Sequence, residues 1–182
     1  MSTQTQCQRG PGTRFAPAVP KIAIRLTAML LSSLLAAVLP RGLEAQTAAE
    51  REVVAVVEKF FEGMAARDTA IMRSTVDASA RLMGMSTQAG VTTIRAIAMD
   101  QFIASIGNSP RDRPAAIERI YAPEVRIDGN LAQVWTFYTL HQGETFSHCG
   151  YDAFQLLRTE QGWKIVNVAD TRRRENCDPP RR

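Results

Sequence analysis

The end of the chain most limits what it can fold into. Phe146–Arg158 and Gly162–Arg172 each alternate apolar with polar side chains and carry many β-branched and aromatic residues, the pattern of strands half-buried in a sheet. Thr159, Glu160, Gln161 and Gly162 lie between them, and glycine supplies the positive φ that a short hairpin loop with a bulge requires. A three-residue loop from Glu160 to Gly162 pairs Thr159 with Trp163, Leu157 with Ile165, Leu156 with Val166, Phe154 with Val168, Asp152 with Asp170 and Gly150 with Arg172. That register sets like against like on both faces, whereas a slip of one residue scrambles both. One face then runs from an apolar floor (Phe154, Leu156, Val166, Val168) to a polar end (His148, Asp152, Asp170, Arg172).

The front of the chain reads as an export signal. Arg9, Arg14, Lys21 and Arg25 precede an apolar run from Leu26 to Leu39. At about 14 residues this run is shorter than the roughly 20 that span a bilayer. The small-residue exit Leu43-Glu44-Ala45 places the cut after Ala45, with an uncleaved anchor as the alternative. The expected organisation is a signal peptide over 1–45, one domain over 46–175 and a basic tail over 176–182, in a periplasmic or secreted protein.

Removing that segment changes both the charge and the cysteine count. The whole chain holds 22 basic and 18 acidic residues, and residues 1–45 carry five of the first and one of the second. The remainder is therefore neutral, and the basic balance points to no nucleic-acid partner. Contact with a membrane is expected only through the export signal. Cys7 leaves with the signal, so Cys149 and Cys177 remain as either one disulfide or two thiols. His141, His148 and Cys149 lack the ligand count and spacing of a zinc site, and no cofactor or metal is expected.

The residues between fill in an order. Thr47 and Glu50 have capping-box spacing, and Val53, Val56, Val57, Phe60 and Met64 follow at helical intervals to about Arg67. Asp68 is placed to cap a short second helix running to about Thr75. A weak strand over 81–86 and a segment over 88–93 that reads as a turn or a short strand lead to a third helix from Ile97 to Gly107. Ala115–Ile127 and Leu131–His141 flank an Asp128-Gly129-Asn130 hairpin turn, and Pro123 argues for a bulge or an edge. The class is α+β, with about three N-terminal helices covering a strongly bent antiparallel sheet.

This order, the first helix closing on Gly63–Asp68, and the ending from Tyr151 to Val166 resemble the nuclear transport factor 2-like superfamily. Its SnoaL-like, ketosteroid-isomerase-like and putative lumazine-binding bacterial members come nearest, over roughly residues 48–174. The resemblance implies a cone-shaped, cystatin-like half-barrel with a small-molecule pocket between sheet and helices, often assembled as a homodimer. The superfamily holds enzymes and non-catalytic binders alike. Binding of a small, largely apolar molecule is the first expectation here. The second is acid–base chemistry of isomerase or dehydratase type at Asp152, Asp170 and His148, with Tyr138 or Tyr151 polarising a carbonyl. The third is a dimeric interaction module. The ligand pocket is expected at Tyr138, Phe154, Leu156, Val166, Val168 and Arg172. Opposed carboxylates repel, so one is expected to hold a proton, unless Arg172 bridges both and keeps them ionised.

Overall fold

The computed structural model describes residues 41–180. The elements run α1 (Arg41–Ala66), α2 (Thr69–Thr75), β1 (Val76–Gln88), β2 (Val91–Ala98), α3 (Met99–Gly107), β3 (Ala116–Asp128), β4 (Leu131–Gln142), β5 (Thr145–Thr159) and β6 (Gly162–Arg172). Most of the expected export signal lies outside the described residues. Helix α1 starts upstream of Thr47, so Thr47 sits within it and does not cap it.

The apolar stripe of α1 does what its spacing demands: Val53, Val57, Phe60, Phe61 and Met64 are all buried. Asp68 caps α2 by accepting from the amides of Ala70 and Ile71, at 2.9 and 3.0 Å. Strands β1 and β2 are both longer than expected, and Ile97 belongs to β2, not to α3. Residues 91–96 of β2 are exposed, so no alternation of buried and exposed positions marks this strand in the sequence.

The sheet order is β2-β1-β6-β5-β4-β3. Every neighbouring pair is antiparallel except β1 and β6, which run parallel, so the sheet is mixed where an antiparallel one was expected. In β3 the register breaks between Tyr121 and Glu124, at Ala122 and Pro123, and the Tyr121 carbonyl beside the break accepts from Thr136 Oγ1 at 3.0 Å.

The closing hairpin has a tighter loop than expected. Thr159 pairs with Gly162, leaving Glu160 and Gln161 as the turn, and Gly162 takes φ 90°. Leu156 therefore opposes Ile165, and the register shifts once before Gln155 pairs with Asn167. Val166 is the extra residue. The bulge flips the facing of β6, so Trp163 and Ile165 point to the core before it, and Val168 and Asp170 after it. Beyond the bulge the expected pairs, Phe154 with Val168 and Asp152 with Asp170, are in place.

Neighbouring strands crowd closely around Gly150. A β-carbon there would lie 1.8 Å from the Thr171 carbonyl oxygen and 2.9 Å from the Tyr138 ring. That close approach lets Tyr138 Oη reach over β5 and donate to the Thr171 carbonyl at 2.8 Å. Next to it Cys149 and Arg173 exchange backbone hydrogen bonds, and a Cys149–Cys177 disulfide with Cα atoms 5.6 Å apart ties the tail to β5.

Candidate ligand cavity and acid cluster

Residues directly opposite one another across a sheet share a face, so the pairing registers set out the cavity wall in rows. One row is apolar: Ile97, Leu82, Val168, Phe154, Val134 and Val125, from β2 across to β3. The next row along the strands is Arg95, Gly84, Asp170, Asp152 and Thr136. Helices α1 and α3 cover this face with Phe60, Phe61, Met64, Met99, Phe102 and Ile106 and enclose a cavity of about 210 Å³. Aromatic pairs stiffen the wall: Phe61 meets Phe154 edge-on at 5.8 Å and 82°, and Phe60 stacks against Phe102 at 6.4 Å. The volume is below the roughly 300–1,000 Å³ of sites for drug-sized ligands.

Three carboxyls face one another at the polar end, where two were expected. Glu118 of β3 joins Asp152 and Asp170 in lining the cavity. Arg172 gives both Nε (3.3 Å) and Nη2 (3.0 Å) to Asp170 Oδ2. Asp152 is only 2 % exposed, and its hydrogen bond is with Glu118. Burial drives the Asp152 carboxyl well above the usual carboxylate range, and the charge of Glu118, their shared hydrogen bond and Asp170 push the same way, against Arg172. Glu118 rises to about 7, mainly through burial; the bond from Asp152 pulls it down, Asp170 pushes it up and Arg172 pulls it down. Both shifts run upward, so the arrangement favours a proton shared between the Asp152 and Glu118 carboxyls. The bridging arrangement, in which Arg172 holds Asp152 and Asp170 together as ions, is not what forms. Asp152 Oδ2 and Asp170 Oδ1 are both buried without an N–H or hydroxyl partner among the described residues.

The remaining candidates separate by face. His148 lies at the rim with Nδ1 3.0 Å from Ser147 Oγ, and burial and Arg172 hold its pKa below the ordinary value. Tyr138 lines the cavity, but its hydroxyl proton is committed to the Thr171 carbonyl. Burial, with the carboxyls around it, raises its pKa. Tyr151 is on the opposite face, stacked on Trp135 at 5.0 Å and 19°. Neither tyrosine is placed to polarise a carbonyl in the cavity. Phe154, Val168 and Arg172 line the cavity as well. Leu156 is instead packed in the core, and Val166 sits at the bulge, away from the cavity. His141 lies near Arg119 and Phe146 and does not line the cavity with His148. Among the described residues, no group of three His, Cys, Asp or Glu is arranged to hold a metal ion.

Glu118 was not legible in the sequence because the two faces of its segment look alike there. Ala116, Glu118 and Ile120 alternate with Ile117, Arg119 and Tyr121, and each set holds one charge among apolar residues.

The profile of the family described as "Putative lumazine-binding" matches residues 48–169. No curated protein matches the chain. Solved structures do. An NTF2-like protein of unknown function from Shewanella baltica OS155 has a TM-score of 0.51 at 21% identity, covering 68% of this chain and 92% of its own. An NTF2-like protein with a cystatin-like fold from Novosphingobium aromaticivorans has a TM-score of 0.54 at 11% identity, covering 71% and 86%. A putative dehydratase of the NTF2-like family from Streptomyces avermitilis has a TM-score of 0.53 at 14% identity, covering 70% and 98%.

Proposed function

The chain belongs to the family described as "Putative lumazine-binding", within the NTF2-like superfamily, and on that basis we propose that its cavity binds a small, largely apolar ring compound. The observation that carries this reading is the contrast inside the cavity. Aromatic and aliphatic walls lead to Asp152 Oδ2 and Asp170 Oδ1, two buried carboxyl oxygens without an N–H or hydroxyl partner among the described residues. Unsatisfied buried acceptors are costly, and a ligand N–H or O–H aimed at them recovers that cost. A compact heterocycle with ring N–H groups, lumazine among them, has both the size and the donors. Calorimetric titration with lumazine and with 2-naphthol tests it. Saturable binding of at least one is expected, and Val168→Phe, which fills the cavity, should abolish it while the melting curve stays cooperative. Failure of both to bind, or equal binding by Val168→Phe, would sink the reading.

A second reading, acid–base catalysis, is favoured by one observation: Glu118, at about 7, shares a hydrogen bond with a protonated Asp152. A group titrating near neutrality can take up and return a proton at a bound carbon or ring nitrogen. In that case Glu118 is the base, Asp152 holds the reserve proton, Asp170 is steadied by Arg172, and His148 stands neutral at the rim. Asp152→Asn and Asp170→Asn should then end turnover of a bound cyclic substrate and largely spare its binding. Full activity in both rules the chemistry out.

We further propose that the protein is exported and works as a homodimer. The disulfide suits an oxidising compartment, and N-terminal sequencing of the exported form should begin at Gln46. Exposed Trp135 and its neighbour Tyr151 give the outer sheet face the aromatic character of an interface, which sedimentation analysis would report as a dimer.

A further inference from the structure

The cavity does not end at the acid cluster. A second, more open groove of about 540 Å³ runs along β1 and β2 under α3, and it shares Leu82, Phe102 and Arg172 with the cavity. Its chemistry is the reverse of the cavity's. No Asp or Glu lines it, and it holds two guanidinium groups, Arg95 and Arg172.

The sheet register explains how the two arginines come to flank one gap. Arg95 pairs with Gly84, and Gly84 pairs with Asp170, so Arg95 and Asp170 share a face. Two strand spacings put their backbones about 10 Å apart, within reach of an arginine side chain and one small anion. Between them Gly84 contributes no side chain. A β-carbon there would stand 3.1 Å from Asp170 Oδ1 and 3.8 Å from Arg172 Nη2, closing the passage. Arg172 spends Nε and Nη2 on Asp170 and remains about half exposed, which leaves guanidinium N–H groups free for a ligand. Arg95 has no carboxylate partner among the described residues.

We propose that Arg95 and Arg172 form an anion subsite for the cavity ligand, so that the ligand is an amphipathic acid: an apolar ring with a carboxylate or phosphate at one end. This rests on the cavity-binding reading and adds the ligand's charge and orientation. The acid cluster at the inner end offers an anion no cationic partner beyond Arg172, whereas the groove end adds Arg95. The ring therefore enters the cavity with its donor edge toward Asp152, and the acidic group stays outside at the arginines. Guanidinium suits the task because its N–H groups fork onto the two oxygens of a carboxylate or phosphate.

The test uses two probes of one shape, neutral 2-naphthol and anionic 2-naphthoate, titrated into the protein and into Arg95→Gln and Val168→Phe. Naphthoate should bind wild type about tenfold or more tighter than naphthol, the effect of one hydrogen bond to a charged group. Arg95→Gln should erase that preference and leave naphthol unchanged, and added salt should weaken naphthoate alone. Equal affinities, or a preference that survives Arg95→Gln, overturn the subsite while naphthol binding upholds the cavity. Naphthoate binding that persists in Val168→Phe reveals surface ion pairing only and also overturns it. If neither probe binds while lumazine does, the subsite falls and the cavity reading stands; if lumazine fails as well, both fall.

Discussion

The acid cluster makes a prediction about stability that runs against the usual behaviour of carboxylates. Glu118 titrates near 4.5 when unfolded and at about 7 when folded. A carboxyl whose pKa is raised by folding stabilises fully below its unfolded value, and that stability is lost as pH rises through the folded value. The loss is concentrated between about pH 4.5 and 7. That rise corresponds to roughly 3 kcal/mol at most, and partial exposure of Glu118 trims it. For a domain this size that is on the order of 10 °C in melting temperature. Glu118→Gln removes the titration and keeps an amide oxygen to accept from Asp152. The variant should match wild type near pH 4 and exceed it above pH 7. His148 acts in the opposite sense, since its depressed pKa makes stability fall as pH drops. The difference between the wild-type and variant curves largely cancels that contribution, so urea unfolding of both across this range is the assay. If that difference is flat with pH, the cluster does not hold the shared proton.

Other perturbations follow from the same geometry. Gly150→Ala forces a β-carbon onto the Thr171 carbonyl and should cost upwards of about 3 kcal/mol or prevent folding; a melting temperature within a few degrees of wild type would contradict the close approach. Reduction of the Cys149–Cys177 bond, which closes 28 positions, should cost about 3 kcal/mol in the loop-entropy model, read as a lower urea midpoint that Cys177→Ala reproduces. Tyr138→Phe leaves the Thr171 carbonyl without its donor and should cost about 1–3 kcal/mol with little change in ligand affinity; a large affinity loss would mean the hydroxyl serves the ligand.

The closing hairpin was legible because alternation and a turn signal are local properties. Asp152 opposite Asp170 followed from it, and that pairing survives although the expected loop length does not. A tighter turn and a bulge at Val166 compensate each other, and nothing in Lys164, Ile165 or Val166 distinguishes a bulged strand from a regular one. The parallel union of β1 with β6 joins segments nearly ninety residues apart and has no short-range marker. Glu118 was illegible for a related reason: its role depends on which face of β3 turns inward, and that is decided by its pairing with β4.

The central claim, that the cavity holds a small ring compound against the acid cluster, is tested most directly by mass spectrometry of molecules released from the protein purified from its native compartment. A small, largely apolar compound should accompany wild type in about equimolar amount and be lost from Val168→Phe. Release of no such compound, or of the same compound in equal amount from Val168→Phe, would contradict it.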